Sequence, residues 1–438
     1  MKKLVWLTVV GAAAVILGCR LDGKYSVGGT LTGLAGRGLV LEDNSGNDLG
    51  LASNGTFRFA GGIKNGDAYS VTVKTQPSNP SQTCTVHNGS GTIDKADVTH
   101  VIVSCAGTGR FAYVANELSN DLSAYTIDSA SGALTPVVGS PFPAGTAPVS
   151  VAVDPNGRFL YVVNNGSNDV SVYAIDGSTG ALSVAGVSSP TGSGPYAVTV
   201  DPSDNYLYVT NFASNSVSAF AIDGATGLLT AMNDSPIAAG TNPTSLKVDP
   251  NGNFLYVTDF GGGDVAVFAI DASTGSLSGV PGSPFAAGAG ALGIAIDPSG
   301  TFAYVANQTA ATVSEYSIDA SGALTAVSGS PLATGSAPQS LAVDPAGRFV
   351  YAANVTAQNQ VAAYSITPSS GALAPSGVAV AAGVLPASVV LDPSGQFAYV
   401  ANDGSGDVSV YRVDAATGAL SPVELVAAGS QPRSIAID

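Results

Sequence analysis

The sequence predicts an all-β protein, a seven-bladed β-propeller preceded by a small N-terminal β-sandwich domain. An eleven-residue segment, DPNGRFLYVVN at residues 154–164, recurs with small changes along most of the 438-residue chain. Its central tyrosine returns every 47 or 48 residues. Gly (54 residues), Ala, Ser, Thr and Val dominate and only 11% of residues are charged, which favours short strands and tight turns over long helices.

The first nineteen residues, MKKLVWLTVVGAAAVILGC, have the features of an export signal. The apolar run from Leu4 to Leu17 is shorter than the roughly 20 residues that a membrane-spanning helix needs. Gly18-Cys19 resembles the lipobox of bacterial lipoproteins, in which the cysteine is acylated and becomes the new N-terminus. We therefore expect residues 1–18 to be a lipoprotein signal peptide, Cys19 to be lipidated and residues 19–24 to be an anchoring segment. A plain secretory signal with a free thiol is the alternative.

The position after the cysteine bears on localisation. Arg20 stands where an aspartate would resemble the inner-membrane retention signal of Gram-negative bacteria. We therefore expect an exported lipoprotein of the cell envelope, held by its lipid at the outer membrane. The chain has two further cysteines, Cys84 and Cys105, and an oxidising compartment favours a disulfide between them.

Residues 25–106 contain alternating apolar segments such as YSVGGTLTGL and AYSVTVKT, separated by Gly and Asn. This spacing predicts a β-sandwich similar to bacterial immunoglobulin-like modules, in which a Cys84–Cys105 disulfide would contribute roughly 2–4 kcal/mol. His87 and His100 are the two histidines of the chain and have no metal-ligand spacing, so we expect both on the surface. The domain is interpreted as a spacer.

Residues 107–438 contain the repeat. The tyrosine occurs seven times, and a second aromatic residue on the next strand follows it in each copy, which is typical of propeller blades. The tyrosines are Tyr113, Tyr161, Tyr208, Tyr256, Tyr304, Tyr351 and Tyr399. Each blade has four predicted strands, and Asp-Pro-x-Gly forms a type I turn whose aspartate caps it. The first copy lacks an inner strand, so we expect residues 433–438 to supply it and close the ring.

The YVTN segment at residues 208–211, its variants and the Asp-Pro-x-Gly turns resemble the YVTN-repeat propellers. These are grouped with the lactonase-family seven-bladed propellers, which include 6-phosphogluconolactonase. The resemblance covers residues 109–438 and implies a lactone-hydrolysing activity, although YVTN propellers also occur in cell-surface proteins without known chemistry.

The stereotyped turns share one face of the propeller, so the variable loops share the other, and we expect function at the channel mouth on that face. The residue next to the start of each inner strand should line the mouth: Val149, Tyr196, Thr244, Leu292, Gln339, Ala387 and Arg433. Tyr196, Thr244, Gln339 and Arg433 are the candidate ligand-binding residues, and Arg433 is the one cation among them.

Catalytic residues are harder to assign. Lactonase-type relatives often carry a histidine at the mouth, whereas this propeller has none. General-base catalysis would therefore require a carboxylate. Glu117, Glu315 and Glu424 are the candidates, but none is paired with an arginine by spacing, and we expect Glu315 to be solvated. A mouth with one cation is poorly suited to a phosphosugar.

The charge excludes one class of partner. The net charge is −16, and residues 107–438 carry 24 acidic against 6 basic side chains. Nucleic-acid binding needs clustered Lys and Arg, so no nucleic-acid partner is expected. No cofactor motif is present, and the acidic loop at residues 259–264 lacks the spaced ligand series of a calcium site, so neither a cofactor nor a metal is expected.

Two functions are compatible with these features. The first is a lipid-anchored binding or scaffolding platform of the cell envelope, with the membrane and an unknown protein, small-molecule or glycan ligand as partners. The alternative is an exported lactonase-family hydrolase that acts on a sugar or aromatic lactone.

Overall fold

The computed structural model describes residues 23–34, 38–44, 46–77, 82–107, 111–355 and 359–438. All regular secondary structure in these ranges is β-strand, which confirms the all-β class. The predicted signal peptide and Cys19 lie outside the described residues. Within the described part of the chain, no helix has the length and apolar character needed to cross a membrane.

The first eight strands form two four-stranded sheets with the orders β4-β1-β8-β6 and β3-β2-β5-β7. They are β1 (Lys24–Thr32), β2 (Leu39–Asp43), β3 (Asn47–Leu51), β4 (Gly55–Lys64), β5 (Ala68–Thr75), β6 (Gln82–His87), β7 (Ser90–Thr92) and β8 (Val98–Gly107). Buried side chains of both sheets, among them Leu41, Phe59 and Val101, form one core. Cys84 of β6 lies opposite Cys105 of β8, and the two form the predicted disulfide.

Seven further sheets form the blades of the propeller. The strands of blades 1 to 3 are β9 (Phe111–Asn116), β10 (Asp121–Ile127), β11 (Leu134–Pro136), β12 (Phe142–Pro143), β13 (Pro148–Val153), β14 (Phe159–Asn164), β15 (Asp169–Ile175), β16 (Leu182–Val184), β17 (Ser189–Pro190), β18 (Pro195–Val200), β19 (Tyr206–Asn211), β20 (Ser216–Ile222), β21 (Leu229–Ala231) and β22 (Ile237–Ala238).

The strands of blades 4 to 7 are β23 (Pro243–Val248), β24 (Phe254–Asp259), β25 (Asp264–Ile270), β26 (Leu277–Gly279), β27 (Phe285–Ala286), β28 (Ala291–Ile296), β29 (Phe302–Asn307), β30 (Thr312–Ile318), β31 (Leu324–Ala326), β32 (Leu332–Ala333), β33 (Pro338–Val343), β34 (Phe349–Asn354), β35 (Gln360–Ile366), β36 (Leu373–Pro375), β37 (Val380–Ala381), β38 (Pro386–Leu391), β39 (Phe397–Asn402), β40 (Asp407–Val413) and β41 (Leu420–Ala427). The last strand of the chain is β42 (Pro432–Ile437). The inner strands β13, β18, β23, β28, β33, β38 and β42 surround the central channel.

The C-terminal strand completes the first blade. β42 pairs antiparallel with β9, and Ile435 lies opposite Val114. The sheet of blade 1 therefore has the order β11-β10-β9-β42, whereas blade 2 has the corresponding order β16-β15-β14-β13 within one continuous stretch of chain. The ring is closed by strand pairing, so no long inner edge is left open in blade 1.

The aspartate of each Asp-Pro-x-Gly turn caps its own turn, as the sequence predicts. Asp154 Oδ1 accepts the backbone N–H of Phe159 at 2.7 Å, and the five other copies form the same bond. In blade 1 the acceptor comes from the other end of the chain, because Asp438 Oδ1 accepts the N–H of Phe111 at 2.8 Å. Asp438 thus repeats in blade 1 the contact that the motif aspartate makes elsewhere.

The repeated tyrosine connects neighbouring blades. Its ring is fully buried in all seven copies. In six of them the described residues include a partner for the hydroxyl, the carbonyl of the glycine that closes a turn in the next blade, at 2.8–3.1 Å. The bond from Tyr399 to Gly132 joins blade 7 to blade 1. Tyr161 is the exception, since its buried hydroxyl has no partner among the described residues.

We predict that Tyr399→Phe destabilises the protein by about 1–3 kcal/mol, because the carbonyl of Gly132 then stays buried without its donor. Urea unfolding measures the change. Tyr161→Phe is the matched control and should change the free energy of unfolding by much less, since no hydrogen bond is lost. Equal losses in the two variants would show that the hydroxyl bond does not hold the blades together.

Candidate functional site

A repeated backbone bond builds the channel mouth. In every blade, the residue after the second strand donates its N–H to the carbonyl of the residue before an inner strand, as from Glu117 to Gln431 at 2.9 Å and from Asp403 to Leu385 at 2.9 Å. The seven residues held in this way are Glu117, Asn165, Phe212, Phe260, Gln308, Val355 and Asp403. Their side chains and those of the inner strands surround the mouth.

A cavity of about 470 Å³ opens here. It is lined by Tyr196, Phe212, Thr244, Phe260, Leu292, Gln308, Gln339, Val355, Leu385, Asp403 and Arg433. Tyr196, Thr244, Gln339 and Arg433, the four residues selected from the sequence, are therefore brought together around one cavity. The cavity shares residues with the narrower channel beneath it.

Arg433 is the centre of a charged cluster where the ring closes. Its Nη1 donates to Asp403 Oδ2 of blade 7 at 2.8 Å, and its Nε lies 3.1 Å from Glu117 Oε2 of blade 1. Burial by itself lowers the pKa of Arg433, but Tyr196, Glu117 and Asp403 outweigh it and the pKa is raised. The guanidinium therefore stays charged, and the three ionised groups together carry one negative charge.

The expectation that Glu117 has no arginine partner is wrong. Glu117 and Arg433 lie far apart in sequence, and the pairing of β42 with β9 brings them together. The side chain of Glu117 is 31% exposed and that of Asp403 is 14% exposed, so Glu117 is the more accessible carboxylate. Asp403 is a mouth residue that the sequence analysis did not select.

The other two glutamates are structural. Glu315 is buried, only 3% exposed, so the prediction of a solvated side chain is wrong. Its carboxylate accepts the N–H of Leu373 in the next blade at 3.1 Å, and burial raises its pKa. Glu424 accepts the N–H of Leu134 at 2.7 Å and connects blade 7 to blade 1 in the same manner.

The polar candidates differ in what they offer a ligand. Thr244 is almost fully buried, and its hydroxyl lies 3.0 Å from the carbonyl oxygen of Leu292 on the next inner strand. This side chain therefore holds blade 4 against blade 5. The side-chain amides of Gln339 and Gln308 have no hydrogen-bond partner within the described residues. The ring of Tyr196 packs at 5.9 Å from that of Phe212. These side chains can still contact a ligand.

A sequence signal for the missed residues exists. The residue after the conserved Tyr-Val-x-Asn pattern differs in nearly every copy: Glu117, Asn165, Phe212, Phe260, Gln308, Val355 and Asp403. Variation directly after an otherwise constant motif indicates a position that the fold does not constrain. That this position lies at the mouth follows only from the backbone hydrogen bond described above.

The sequence matches the family model described as "Lactonase, 7-bladed beta-propeller" over residues 69–244 and 238–437. The chain belongs to the lactonase family of seven-bladed β-propellers. The resemblance stated from its YVTN segments is therefore confirmed. No curated protein sequence matches this chain significantly.

Solved structures of several other proteins share the fold. The periplasmic gluconolactonase of Pseudomonas aeruginosa is 20% identical, with a TM-score of 0.66 over 75% of this chain and 98% of that one. A candidate 6-phosphogluconolactonase from Bacteroides fragilis is 21% identical, with a TM-score of 0.67 over 76% and 98%. Hydrazine synthase from Kuenenia stuttgartiensis is 20% identical, with a TM-score of 0.54 over 70% and 93%. At these identities the likeness concerns the fold.

One blade of this lactonase-family propeller contains a buried carboxyl pair beside the mouth. Most blades place an asparagine at the end of the second strand, as in blade 2, where Asn164 Nδ2 donates to Asp169 Oδ1 at 2.7 Å. Blade 4 has Asp259 and Asp264 at these positions. Burial and the neighbouring carboxyl of Asp264 raise the pKa of Asp259 to about 8. No group of three or more metal-ligating side chains occurs in the described part of the chain.

The pair makes stability depend on pH. Between pH about 4 and about 8, folded Asp259 retains a proton that the unfolded chain releases. The free energy of unfolding therefore falls as pH rises through this window. We predict that Asp259→Asn is more stable than the parent by about 1–3 kcal/mol at pH 8.5 and about equal to it at pH 5, since the amide restores a donor.

Urea unfolding at both pH values measures this difference. Asn164→Asp is the matched control, because it places a second carboxyl beside Asp169 in blade 2 and should lose stability as pH rises. A stability difference between Asp259→Asn and the parent that is the same at both pH values would contradict the assignment.

Proposed function

We propose that this protein hydrolyses an uncharged lactone at the channel mouth. The observation that supports the proposal most directly is Arg433 held between Glu117 and Asp403 at the edge of a cavity of about 470 Å³. Lactone hydrolysis requires a base that activates water and a donor that stabilises the negative oxygen of the tetrahedral intermediate. The cluster contains both kinds of group.

Glu117 is the proposed general base. One of its carboxylate oxygens is held by Arg433, and the other has no partner within the described residues. The free oxygen can accept a proton from water as the water attacks the lactone carbonyl. The proton then passes to the ring oxygen as the carbon–oxygen bond breaks, which yields the hydroxy acid.

Arg433 is the proposed oxyanion donor. Its Nε and Nη1 are engaged by the two carboxylates, which fix the plane of the guanidinium and leave its remaining N–H groups for the carbonyl oxygen. Asp403 acts as a positioning residue, because it is less exposed than Glu117 and contacts the same guanidinium. Proper placement of the donor before the reaction is the main source of such stabilisation.

Charge and shape indicate the substrate class. The cluster carries one net negative charge, so a doubly charged phosphosugar lactone is repelled, whereas an uncharged lactone is not. Tyr196 and Phe212 form an aromatic pair in the wall, and Phe260 is nearby. An aromatic or otherwise partly apolar lactone would pack against these rings. Gln308 and Gln339 can donate to its polar groups.

The expectation of a binding platform rested on a complete blade framework with an uncharged, histidine-free mouth. The ion pairs of Arg433 with Glu117 and Asp403 show that the mouth is charged. Membership of the lactonase family and the likeness to a periplasmic gluconolactonase support lactone hydrolysis as the better proposal.

We predict that the purified protein hydrolyses dihydrocoumarin faster than 6-phosphogluconolactone. Glu117→Gln should lower kcat by about 10²–10⁴, the usual contribution of a general base. Arg433→Gln should lower it by about 10²–10³, the usual cost of losing one oxyanion donor. Spectrophotometric assays of lactone disappearance measure both effects.

Arg412→Gln is the control for the loss of a cation. Arg412 is exposed, and its guanidinium lies over the ring of Phe397 at 4.8 Å, outside the mouth. The Arg412→Gln variant should hydrolyse the lactone at the parental rate. Full activity in Glu117→Gln, or no activity in the parent toward any uncharged lactone, would contradict the proposed function.

We further propose that the protein acts outside the cytoplasm, anchored through Cys19. The sequence of residues 1–19 supports this proposal. The lipid would hold the propeller at a membrane of the cell envelope, and we expect that membrane to be the outer one.

Labelling of bacterial cells that express the full chain with radioactive palmitate should yield a labelled protein of the processed size. Cys19→Ala should abolish the label and leave the protein in the soluble periplasmic fraction. A labelled Cys19→Ala protein, or an unlabelled parent, would contradict lipidation at this residue.

A further inference from the structure

The central channel contains one charged side chain below the mouth. Lys247 of β23 is the sole lysine of residues 107–438. It lines both the narrow waist of the channel, a cavity of about 190 Å³, and a lower cavity of about 510 Å³. The corresponding residues of the six other inner strands are small or apolar: Ala152, Thr199, Ala295, Ala342, Val390 and Ala436.

The alternation of a β-strand explains why this lysine faces the channel. Leu246 is 2% exposed and packs between blades, so its neighbours Ser245 and Lys247 point to the opposite side of the strand. The Lys247 side chain is exposed to solvent inside the channel, where it lines both cavities. Burial lowers the pKa of its ammonium group.

The ammonium group of Lys247 is unpaired. Within the described residues no carboxylate forms an ion pair with it, and no Asp or Glu lines the waist or the lower cavity. The other titratable side chains along the channel, among the described residues, are Arg433 and Tyr196 at its upper end and His87 at its lower end. A cation inside a channel that has no facing carboxylate attracts anions from the solvent that fills the channel.

Serine hydroxyls surround the same space. The Oγ atoms of Ser150, Ser340 and Ser434 each accept a backbone N–H from the inner strand of the next blade at 3.2–3.3 Å. Since the oxygen serves as acceptor, the hydroxyl hydrogen remains available as a donor. Ser245 and Ser388 also line the waist. Below Arg433, the channel therefore presents several hydroxyl donors and one cation, Lys247.

We propose that the waist of the channel is a binding site for a small monovalent anion, a halide or a short carboxylate, held by the Lys247 ammonium and the inner-strand serine hydroxyls. A cavity of about 190 Å³ accommodates such an ion together with water molecules. The bound anion supplies the counter-charge that the described residues lack.

The N-terminal domain contributes to the wall of the lower cavity. Thr85, His87 and Ser104 of the N-terminal domain line it together with residues of the propeller. His87 is half-buried, and burial lowers its pKa although Asp297 opposes this shift. His87 is thus only partly exposed. The N-terminal domain thus borders the end of the channel opposite the mouth.

Bromide is the probe for the first test, since its anomalous scattering locates it in crystals of the full propeller with its N-terminal domain. Crystals soaked in sodium bromide should show an anomalous peak at ion-pair distance from Lys247 Nζ. The peak should be absent in Lys247→Met and retained in Lys247→Arg. Co-soaking with sodium acetate should remove the peak if the site accepts carboxylates and leave it if the site is selective for halides.

NMR with 13C-labelled lysine is the second measurement and needs no crystal. Only Lys24, Lys64, Lys74, Lys95 and Lys247 follow residue 19, so the signal that Lys247→Arg removes identifies Lys247. At constant ionic strength, the chemical shift of Lys247 should change with bromide or acetate concentration until it saturates. The chemical shifts of the other four lysines should change only linearly. The absence of a bromide peak at Lys247, or a Lys247 chemical shift that changes linearly like those of the other lysines, would show that Lys247 does not bind an anion.

Discussion

The structure depends on the connection of each blade to the next through buried polar bonds. A tyrosine hydroxyl from one blade reaches a glycine carbonyl in the following blade, and the ring ends with the bond from Tyr399 to Gly132. Burial raises the pKa of Tyr399, so its hydroxyl remains a donor. Six such bonds, together with the pairing of β42 and β9, hold the inner strands in a closed circle around the channel.

The candidate site is a product of that closure. Glu117 comes from the first blade, Asp403 from the last and Arg433 from the C-terminal strand, and their ion pairs lie where the two ends of the repeat meet. The cluster therefore contributes to closing the ring as well as providing chemistry. The same residues that neutralise Arg433 also set the charge of the mouth and disfavour anionic substrates there.

The mouth and the waist of the channel differ in electrostatic character. The mouth carries a net negative cluster, whereas the waist below it presents Lys247 and hydroxyl donors without a carboxylate among the described lining residues. This contrast arises in a propeller that is strongly acidic as a whole. The acidic side chains of the Asp-Pro-x-Gly turns cap backbone N–H groups instead of entering the channel.

The sequence by itself determined the fold class, the number of blades and the roles of the repeated Tyr and Asp, because a regular repeat imposes the same local contacts in each copy. It also indicated Tyr196, Gln339 and Arg433 as mouth residues, since strand position follows from the period. The partners of Arg433 and the burial of Glu315 were decided by tertiary structure. These contacts form between different blades, and no local pattern encodes which side chains meet across them.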